Sequence, residues 1–288
     1  MLSLHTNNAA LSAQNSIAKT QSQLSTSMTR LSTGYRINSA MDDAAGLQIA
    51  TRLKAQTSGM TVAMSNTQNS TSMLQTAEGA FNEVTNMLVR MKDLATQAAD
   101  ASSNTDDKDA MQAEFDALGK ELYNVMTKTT FGGSDLLTGG TLAAKMTFQI
   151  GASAGETMAL DVSAKMTTLG TNLAAAVKTY ASAPPSTLGT EIGTGTTANT
   201  SITALSTLID NVGEIRSALG AAANRLDHVN NNLSNISTNT KAATGRIMDV
   251  DFATESSNMT SSQMLLQAGT AMLKQSNSMS SMVMSLLQ

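Results

Sequence analysis

Both ends of the chain carry the same apolar rhythm, in which hydrophobic residues recur at alternating steps of three and four. An average spacing of 3.5 residues keeps one narrow apolar stripe facing a partner helix and favours a left-handed coiled coil. The middle of the chain lacks this rhythm. We therefore expect helices from the two ends to pair with each other, because each carries a stripe that needs a partner.

The stripes can be followed residue by residue. The N-terminal half contains two runs: Leu74, Ala77, Phe81, Val84, Leu88, Met91, Ala95 and Ala98, then Met111, Phe115, Leu118, Leu122 and Val125. The C-terminal half contains two more: Leu205, Leu208, Val212, Ile215, Leu219, Ala222, Leu226, Val229, Leu233 and Ile236, then Leu265, Ala268, Met272, Gln275, Met279, Met282 and Leu286. One long helix is predicted over 202–243, which would span ~60 Å at 1.5 Å per residue. The N-terminal helices are expected to lie antiparallel beside it.

The middle of the chain changes period. Two runs alternate apolar with polar residues: Met146, Phe148 and Ile150, then Met158, Leu160 and Val162. This alternation predicts a β-hairpin over 145–162 with one buried face. The following stretch, 164–201, is rich in Gly, Thr and Ala and contains Pro184 and Pro185. It is predicted to be a short solvent-facing insertion with a short helix near 172–181.

Helix boundaries are marked at two places. Asn104 or Thr105 is predicted to cap a helix whose first turn holds Asp106, Asp107 and Asp109, where carboxylates favour the positive end of the helix dipole. Gly34, Gly46 and Gly59 interrupt the N-terminal pattern, so broken helix and extended chain are predicted over 33–59.

The composition indicates helices that are covered on several sides. Charged residues make up 14% of the chain, against roughly 25% in an average soluble domain. The helix faces opposite the stripes carry mostly Ser, Thr, Asn, Gln and Ala, where a solvated helix normally carries Lys, Glu and Arg. A monomeric bundle of unusual composition is the alternative.

The residue inventory argues against catalysis, cofactors and metal binding. The only histidines are His5 and His228, which have no second ligand or base at helical spacing, and cysteine is absent. No nucleophile elbow, phosphate-binding loop or dinucleotide fingerprint occurs. A net charge of −4 without a cluster of cations argues against nucleic-acid binding, and no run of ~18 apolar residues predicts a membrane span. The first residues lack the pattern of a cleaved secretory signal.

Several ordered motifs resemble one family. Residues 30–53 read RLSTGYRINSAMDDAAGLQIATRL, residues 75–98 read QTAEGAFNEVTNMLVRMKDLATQA, and residues 245–259 read GRIMDVDFATESSNM. The hairpin region, with FGGSDLL from Phe131, resembles the same family. The resemblance is to bacterial flagellin, the subunit of the flagellar filament, and it extends over about four fifths of the chain.

The resemblance implies a mainly α fold, in which N- and C-terminal segments pair as an elongated antiparallel coiled-coil bundle. Residues 1–40 and 250–288 would form a terminal inner layer. Residues 41–163 and 202–249 would form a rod that includes the hairpin 145–162, and 164–201 would be the solvent-facing insertion.

The resemblance also implies partners and a location. The chain would be exported unfolded by the flagellar type III system, with a chaperone on its C-terminal segment. It would then polymerise with other copies into the extracellular filament used for swimming, in contact with hook-associated junction and cap proteins. The polymerisation interface is expected to use apolar residues of the terminal segments: Leu24, Leu31, Leu265, Met272, Met279, Met282 and Leu286.

The resemblance further implies that a host Toll-like receptor senses the rod. The positions that match the receptor-contact motif are Leu88, Arg90, Leu94 and Glu114. Three alternatives stay open. The chain could be the hook–filament junction protein, a general coiled-coil scaffold, or a flagellin with an enzyme in its insertion, although the insertion lacks His.

Overall fold

The computed structural model describes residues 7–180 and 189–286, with side chains as far as residue 279. Its helices are α1 (Asn8–Thr33), α2 (Ala44–Ala99), α3 (Thr105–Lys128), α4 (Ser163–Ala176), α5 (Gly195–Met248) and α6 (Phe252–Leu286). Two antiparallel ladders pair β1 (Thr130–Phe131) with β2 (Ser134–Asp135) and β3 (Met146–Gln149) with β4 (Thr157–Leu160). The predicted mainly helical fold with a small hairpin is confirmed, and the helix predicted over 202–243 lies within α5.

The chain divides into two compact units, each built from both halves of the sequence. The terminal unit comprises Met1–Thr57 with Thr238–Gln288, and the middle unit comprises Ser58–Ser237. Helices α2 and α5 contribute to both. Segments far apart in sequence therefore pair within each unit, as the apolar rhythm predicts.

The middle unit is organised around the predicted stripes of α2 and α5. All eight stripe residues from Leu74 to Ala98 are buried, and so are most of those on α5. Arg216 of α5 donates to Glu78 of α2 at 2.9 Å, while Leu233 packs against Met60 and Ala63. These contacts show that α2 and α5 run antiparallel within the unit. Helix α3 adds Phe115, Leu122 and Met126, which are also buried, to the same core.

The start of α3 follows the predicted capping pattern. The Asn104 side chain accepts from the Asp107 N–H at 2.8 Å, and Asp107 accepts from the Asn104 N–H at 3.3 Å. This reciprocal capping box satisfies two backbone donors that have no partner inside the helix. Asp106 and Asp107 lie in the first turn as expected, whereas Asp109 lies beyond it because the helix begins at Thr105.

The break predicted over 33–59 is shorter than expected. Helix α1 does end at Gly34, whose φ of 76° lies in the left-handed region. Helix α2 begins at Ala44, however, and runs through Gly46 and Gly59, so the prediction of broken chain is wrong beyond residue 43. At Gly59 close packing outweighs the loss of helix stability that glycine causes relative to alanine, which is roughly 1 kcal/mol. A Cβ there would lie 2.8 Å from the Cβ of Ala152, so only glycine lets the hairpin connector approach this closely.

Residues 164–201 are not wholly solvent-facing. Helix α4 starts directly after the hairpin, earlier than the predicted helix near 172–181, and buries Met166, Leu169 and Leu173. These residues recur at steps of three and four, which forms one apolar helical face. Further along, Ile192 and Ala198 are also buried. Part of the predicted insertion therefore belongs to the core of the middle unit, while Pro184 and Pro185 lie outside the described residues.

A buried polar network holds the end of this segment against α3. Asp116 accepts from the Gly189 N–H at 2.7 Å and from the Gln112 amide at 2.9 Å. Gln112 in turn accepts from the Ile192 N–H at 2.9 Å and donates to Glu191 at 3.0 Å. Because buried polar groups need partners, these bonds fix where the chain returns to the core.

Candidate assembly surface

The terminal unit is built on a seam between α1 and α6, which pack against each other. The partly or fully buried positions recur at alternating steps of three and four on both helices. They are Ala10, Ala13, Ile17, Thr20, Leu24, Ser27 and Leu31 on α1, and Glu255, Met259, Ser262, Leu266, Gly269, Leu273 and Ser276 on α6. The seam therefore has coiled-coil spacing, but about half of its residues are small or polar.

Specific contacts fix the direction and register of this seam. The Asn7 side chain donates to the Ser276 backbone oxygen at 3.2 Å. Gly269 faces Ile17, since a Cβ at Gly269 would lie 2.9 Å from Ile17 Cγ1. Near the other end of α1, Arg30 lies 3.7 Å from the carboxylate of Glu255, which is buried. The two helices are thus antiparallel, with glycine allowing close approach at the middle of the seam.

A second apolar face on α6 has no partner within the described part of the chain. Leu265, Met272 and Met279 are 61%, 68% and 59% exposed, and Met264 is exposed beside them. We call these four residues the outer stripe. Leu265 and Met272 each precede a seam residue by one position, so they lie about 100° around the helix from the seam, and Met264, one position before Leu265, lies about 200° around it.

The structure separates the seven expected polymerisation residues into two groups. Leu24 and Leu31 lie on the seam inside the subunit, whereas Leu265, Met272 and Met279 face outwards. Met282 and Leu286 lie in α6, and their side chains are outside the described residues. The small seam residues Ser262, Gly269 and Ser276 were missed by sequence reasoning, which followed the series from Leu265 to Leu286 instead.

The terminal unit has little hydrophobic core of its own. Among its described side chains, the buried hydrophobic residues are Leu24, Ile37 and Ala50, and the buried polar residues are Ser27, Thr57, Glu255 and Ser262. Both clusters of mutually contacting buried hydrophobic residues found in the described chain lie in the middle unit. Since burial of apolar surface is the main stabilising contribution in folding, the terminal unit is the less stable of the two.

The connectors beside the seam are held by backbone bonds and short turns. The Arg36 N–H donates to Met248 O at 2.6 Å, and the Val250 N–H donates to Gly34 O at 3.0 Å. In the neighbouring turn, Asp42 accepts from the N–H groups of residues 38–39, mainly that of residue 38, and these bonds hold the pKa of its carboxyl below the usual value. A bond from the Thr254 hydroxyl similarly lowers the pKa of Asp251 at the start of α6.

The four receptor-contact candidates do not all reach the surface. Arg90 and Glu114 are exposed and form an ion pair, with 2.8 Å from Arg90 Nε to Glu114 Oε1. Leu88 and Leu94 are only 0% and 2% exposed because both side chains belong to the hydrophobic core of the middle unit. Neither side chain reaches the surface of the folded subunit, their role as receptor contacts stays a prediction, and Val89 is the exposed hydrophobic residue at this site.

The described residues contain no group of three or more His, Cys, Asp or Glu side chains placed to hold a metal. His228 is exposed on α5, and His5 lies outside the described residues. None of the helices in residues 7–180 and 189–286 has the length and hydropathy required to span a membrane.

Two family models match the chain at the segments that form these paired helices. The bacterial flagellin N-terminal helical region matches residues 4–141, and the bacterial flagellin C-terminal helical region matches residues 202–287. Flagellin A of Vibrio anguillarum is 35% identical over 379 aligned positions that cover 100% of both chains. The chain belongs to the bacterial flagellin family. Flagellin A of Vibrio cholerae O395 and polar flagellin C of Vibrio parahaemolyticus are 34% and 33% identical, again with 100% of both chains covered.

Two solved structures are similar to this flagellin. The crystal structure of Bacillus cereus flagellin has 32% identity and a TM-score of 0.48, covering 62% of this chain and 94% of its own. A flagellar hook-associated protein from Vibrio parahaemolyticus has 17% identity and a TM-score of 0.55, covering 72% of this chain and 100% of its own. At that identity the second likeness shows the fold alone.

Membership of the family establishes the general role of this flagellin. Flagellins are structural proteins, not enzymes, and polymerise with one another to form the extracellular flagellar filament. The family, the mainly helical fold and the structural role predicted from the sequence are therefore confirmed.

Proposed function

We propose that this flagellin polymerises by burying the outer stripe of α6 against other copies of the chain. The observation that carries this proposal is the presence of four large exposed apolar side chains on a unit with little core. Full burial of one such side chain contributes about 1.5–3 kcal/mol, and these are roughly three-fifths exposed. Burying all four would then contribute about 4–7 kcal/mol per copy, as an upper estimate.

Assembly and folding of the terminal helices are coupled in this proposal. A seam rich in Ala, Ser, Thr and Gly buries little apolar surface, and helix pairs with so little burial are marginal in water. Docking on neighbouring copies supplies the missing burial and orders α1 and α6. We assign 1–40 with 250–288 to the inner layer of the filament, 41–163 with 202–249 to the rod, and the exposed part of 164–201 to the outer surface.

The low stability of the terminal unit is also compatible with export as an unfolded chain through the flagellar type III system. The terminal unit needs little energy to unfold, and the sequence contains no cysteine, so no disulfide has to be broken. We propose that an export chaperone covers the apolar C-terminal segment before assembly. Junction and cap proteins of the flagellum are proposed to contact the same terminal helices, and the completed filament serves swimming.

A host Toll-like receptor is proposed to contact the rod at the exposed pair Arg90 and Glu114. The guanidinium, the carboxylate and the neighbouring exposed Val89 together offer charge and a small apolar surface. A receptor-reporter assay with Arg90→Ala should show a weaker response than the wild-type chain. An unchanged response would remove this residue from the contact.

The alternative is the hook–filament junction protein. The fold likeness to a hook-associated protein favours considering it, but the full-length identity to several filament flagellins is about twice as high. Filaments sheared from cells should contain this chain as the bulk protein. A small amount confined to one end of each filament would favour the junction role.

Polymerisation is tested by two pairs of substitutions on α6. Leu265→Ser combined with Met272→Ser removes apolar groups from the outer stripe, so we expect loss of filaments in seeded sedimentation assays. The matched control is Gln263→Ser combined with Gln267→Ser, which alters two exposed polar positions of the same helix. Filaments from the first variant, or their loss in both variants, would contradict the proposal. A chain ending at Val250 should likewise keep a folded middle unit and form no filament.

A further inference from the structure

Among the described side chains, exposed methionines occur only in the terminal unit, which also contains the partly buried Met248 and Met259. The ten in the middle unit are all buried or partly buried: Met60, Met64, Met73, Met87, Met91, Met111, Met126, Met146, Met158 and Met166. The exposed methionines among the described side chains all lie in the terminal unit: Met28, Met41, Met264, Met272 and Met279. An oxidant in solution can therefore reach the thioethers of the terminal unit, while the core thioethers are covered.

Three of the exposed methionines supply most of the outer stripe. Met272 and Met279 are seven residues apart, two helical turns, so their side chains point in nearly the same direction. Met264 lies two turns before Met272 and flanks Leu265. Met28 and Met41 are also exposed, at 49% and 97%, but lie on α1 and on the turn before α2 and not on α6.

We propose that Met264, Met272 and Met279 form an oxidation-sensitive assembly face, at which a peroxide acting on the unassembled chain blocks polymerisation. The inference rests on the proposed role of the outer stripe in binding other copies. The thioether sulfur attacks one peroxide oxygen, the O–O bond breaks, and an S=O bond forms. The sulfur is oxidised by two electrons, and the second peroxide oxygen leaves as water.

The consequence follows from the polarity of the product. A sulfoxide is a strong hydrogen-bond acceptor, and its burial between apolar helices without a donor is unfavourable. The four side chains of the outer stripe are apolar and offer no donor to the new oxygen, although the exposed amide of Gln275 lies between Met272 and Met279 on the same side of α6. Oxidation therefore changes a face that favours burial into one that favours water. The lesion is reversible, because methionine sulfoxide reductases restore the thioether.

Assembly also protects the face it uses. Once the outer stripe is covered by neighbouring copies, peroxide no longer reaches these three sulfur atoms. The sensitive period is therefore confined to chains that have not yet been incorporated, and completed filament is resistant.

The test compares unassembled chain and filament after treatment with hydrogen peroxide. Peptide mass mapping should find Met264, Met272 and Met279 oxidised about tenfold faster in the unassembled chain than in filament, with Met91 and Met126 slow in both. Treated chain should elongate filament seeds about tenfold less than untreated chain, and methionine sulfoxide reductase should restore elongation. Far-ultraviolet circular dichroism and the melting temperature of the middle unit should stay unchanged.

Two variants locate the effect. The triple variant Met264→Leu, Met272→Leu and Met279→Leu keeps an apolar stripe that cannot be oxidised, so it should elongate seeds with or without peroxide. The matched control, Met28→Leu with Met41→Leu, removes two exposed sulfur atoms outside α6 and should remain sensitive.

The outcomes separate this inference from the proposed function. If the untreated chain fails to elongate seeds, both are overturned. If it elongates and oxidation of the three methionines has no effect, or if the triple variant is as sensitive as the wild-type chain, the oxidation-sensitive face alone is overturned.

Discussion

Core residues should determine the stability of the subunit, whereas outer-stripe residues should determine its assembly. This difference can be tested by making the same Leu→Ala substitution at one position of each kind. Leu208 on α5 is fully buried in the core of the middle unit, whereas Leu265 on α6 is 61% exposed. Leu→Ala at a fully buried site typically costs about 2.7–5 kcal/mol, the range measured across one well-studied core. We expect about 3 kcal/mol at Leu208, which lowers the melting temperature of a unit this size by roughly 6–12 °C.

Leu265→Ala should have the opposite pattern. An exposed leucine contributes little to the free energy of unfolding of the isolated subunit, so we expect a change within about 0.5 kcal/mol. Elongation of filament seeds should fall, because part of the outer stripe is lost. Leu208→Ala should still elongate seeds at temperatures where its middle unit is folded.

Scanning calorimetry on unassembled chain measures the first effect, and seeded sedimentation measures the second. The reasoning is refuted if Leu208→Ala leaves the melting temperature unchanged, or if Leu265→Ala lowers it as much as Leu208→Ala does. Normal elongation by Leu265→Ala would remove this residue from the assembly face.

Three further perturbations have defined outcomes. Asp116→Ala leaves buried donors unsatisfied and should lower the free energy of unfolding by about 1–3 kcal/mol in denaturant titrations; a neutral result would show that the network is dispensable. Coupling between Arg90 and Glu114 in a double-mutant cycle should be below about 1 kcal/mol, since both are exposed; a larger value would indicate a structural pair. The Asp42 pKa, measured by nuclear magnetic resonance, should lie below the ordinary value of an aspartate side chain. Because the pKa of Asp42 is lowered in the folded chain, its ionised carboxylate stabilises the turn at residues 38–39 at pH values above the ordinary pKa. This stabilisation is lost as the pH falls through the lowered pKa. A measured pKa at or above the ordinary value would contradict these bonds.

The paired stripes of α2 and α5 could be predicted from the sequence because each helix carries a continuous apolar stripe there. The predicted residues from Leu74 to Ala98 and from Leu205 to Leu226 are all buried, but Met87 and Leu94 beside the α2 stripe are buried too and the period did not identify them. The capping box at Asn104 was equally predictable, because its bonds are local.

Helix α6 was harder to interpret because it carries two stripes of the same period. The positions beginning at Leu265 and those beginning at Leu266 both fit a heptad, and only three-dimensional packing shows that Leu266 faces α1. Small residues such as Gly269 mark the true seam, but glycine reads as a helix breaker in a sequence. Treating glycine as a helix breaker also extended the predicted break to Gly59. In the structure, glycine is required at position 59 because Ala152 packs too closely to leave room for a Cβ.

The burial of α4 was missed for a related reason. The segment is rich in Gly, Thr and Ala, which is typical of surface loops, and its three buried apolar residues are too few to stand out against that composition. The return of the chain at Gly189 depends on Asp116 and Gln112, more than seventy residues earlier, a pairing that no local pattern contains.

The central claim is that α1 and α6 gain most of their stability from neighbouring copies and not from each other. Hydrogen exchange measured by mass spectrometry on unassembled chain and on filament tests it directly. We predict that amides of α1 and α6 exchange at least about a hundredfold faster in the unassembled chain than in filament, while those of the buried middle-unit core change little. Equal protection of α1 and α6 in the two states would contradict the account and would favour a self-sufficient coiled-coil scaffold.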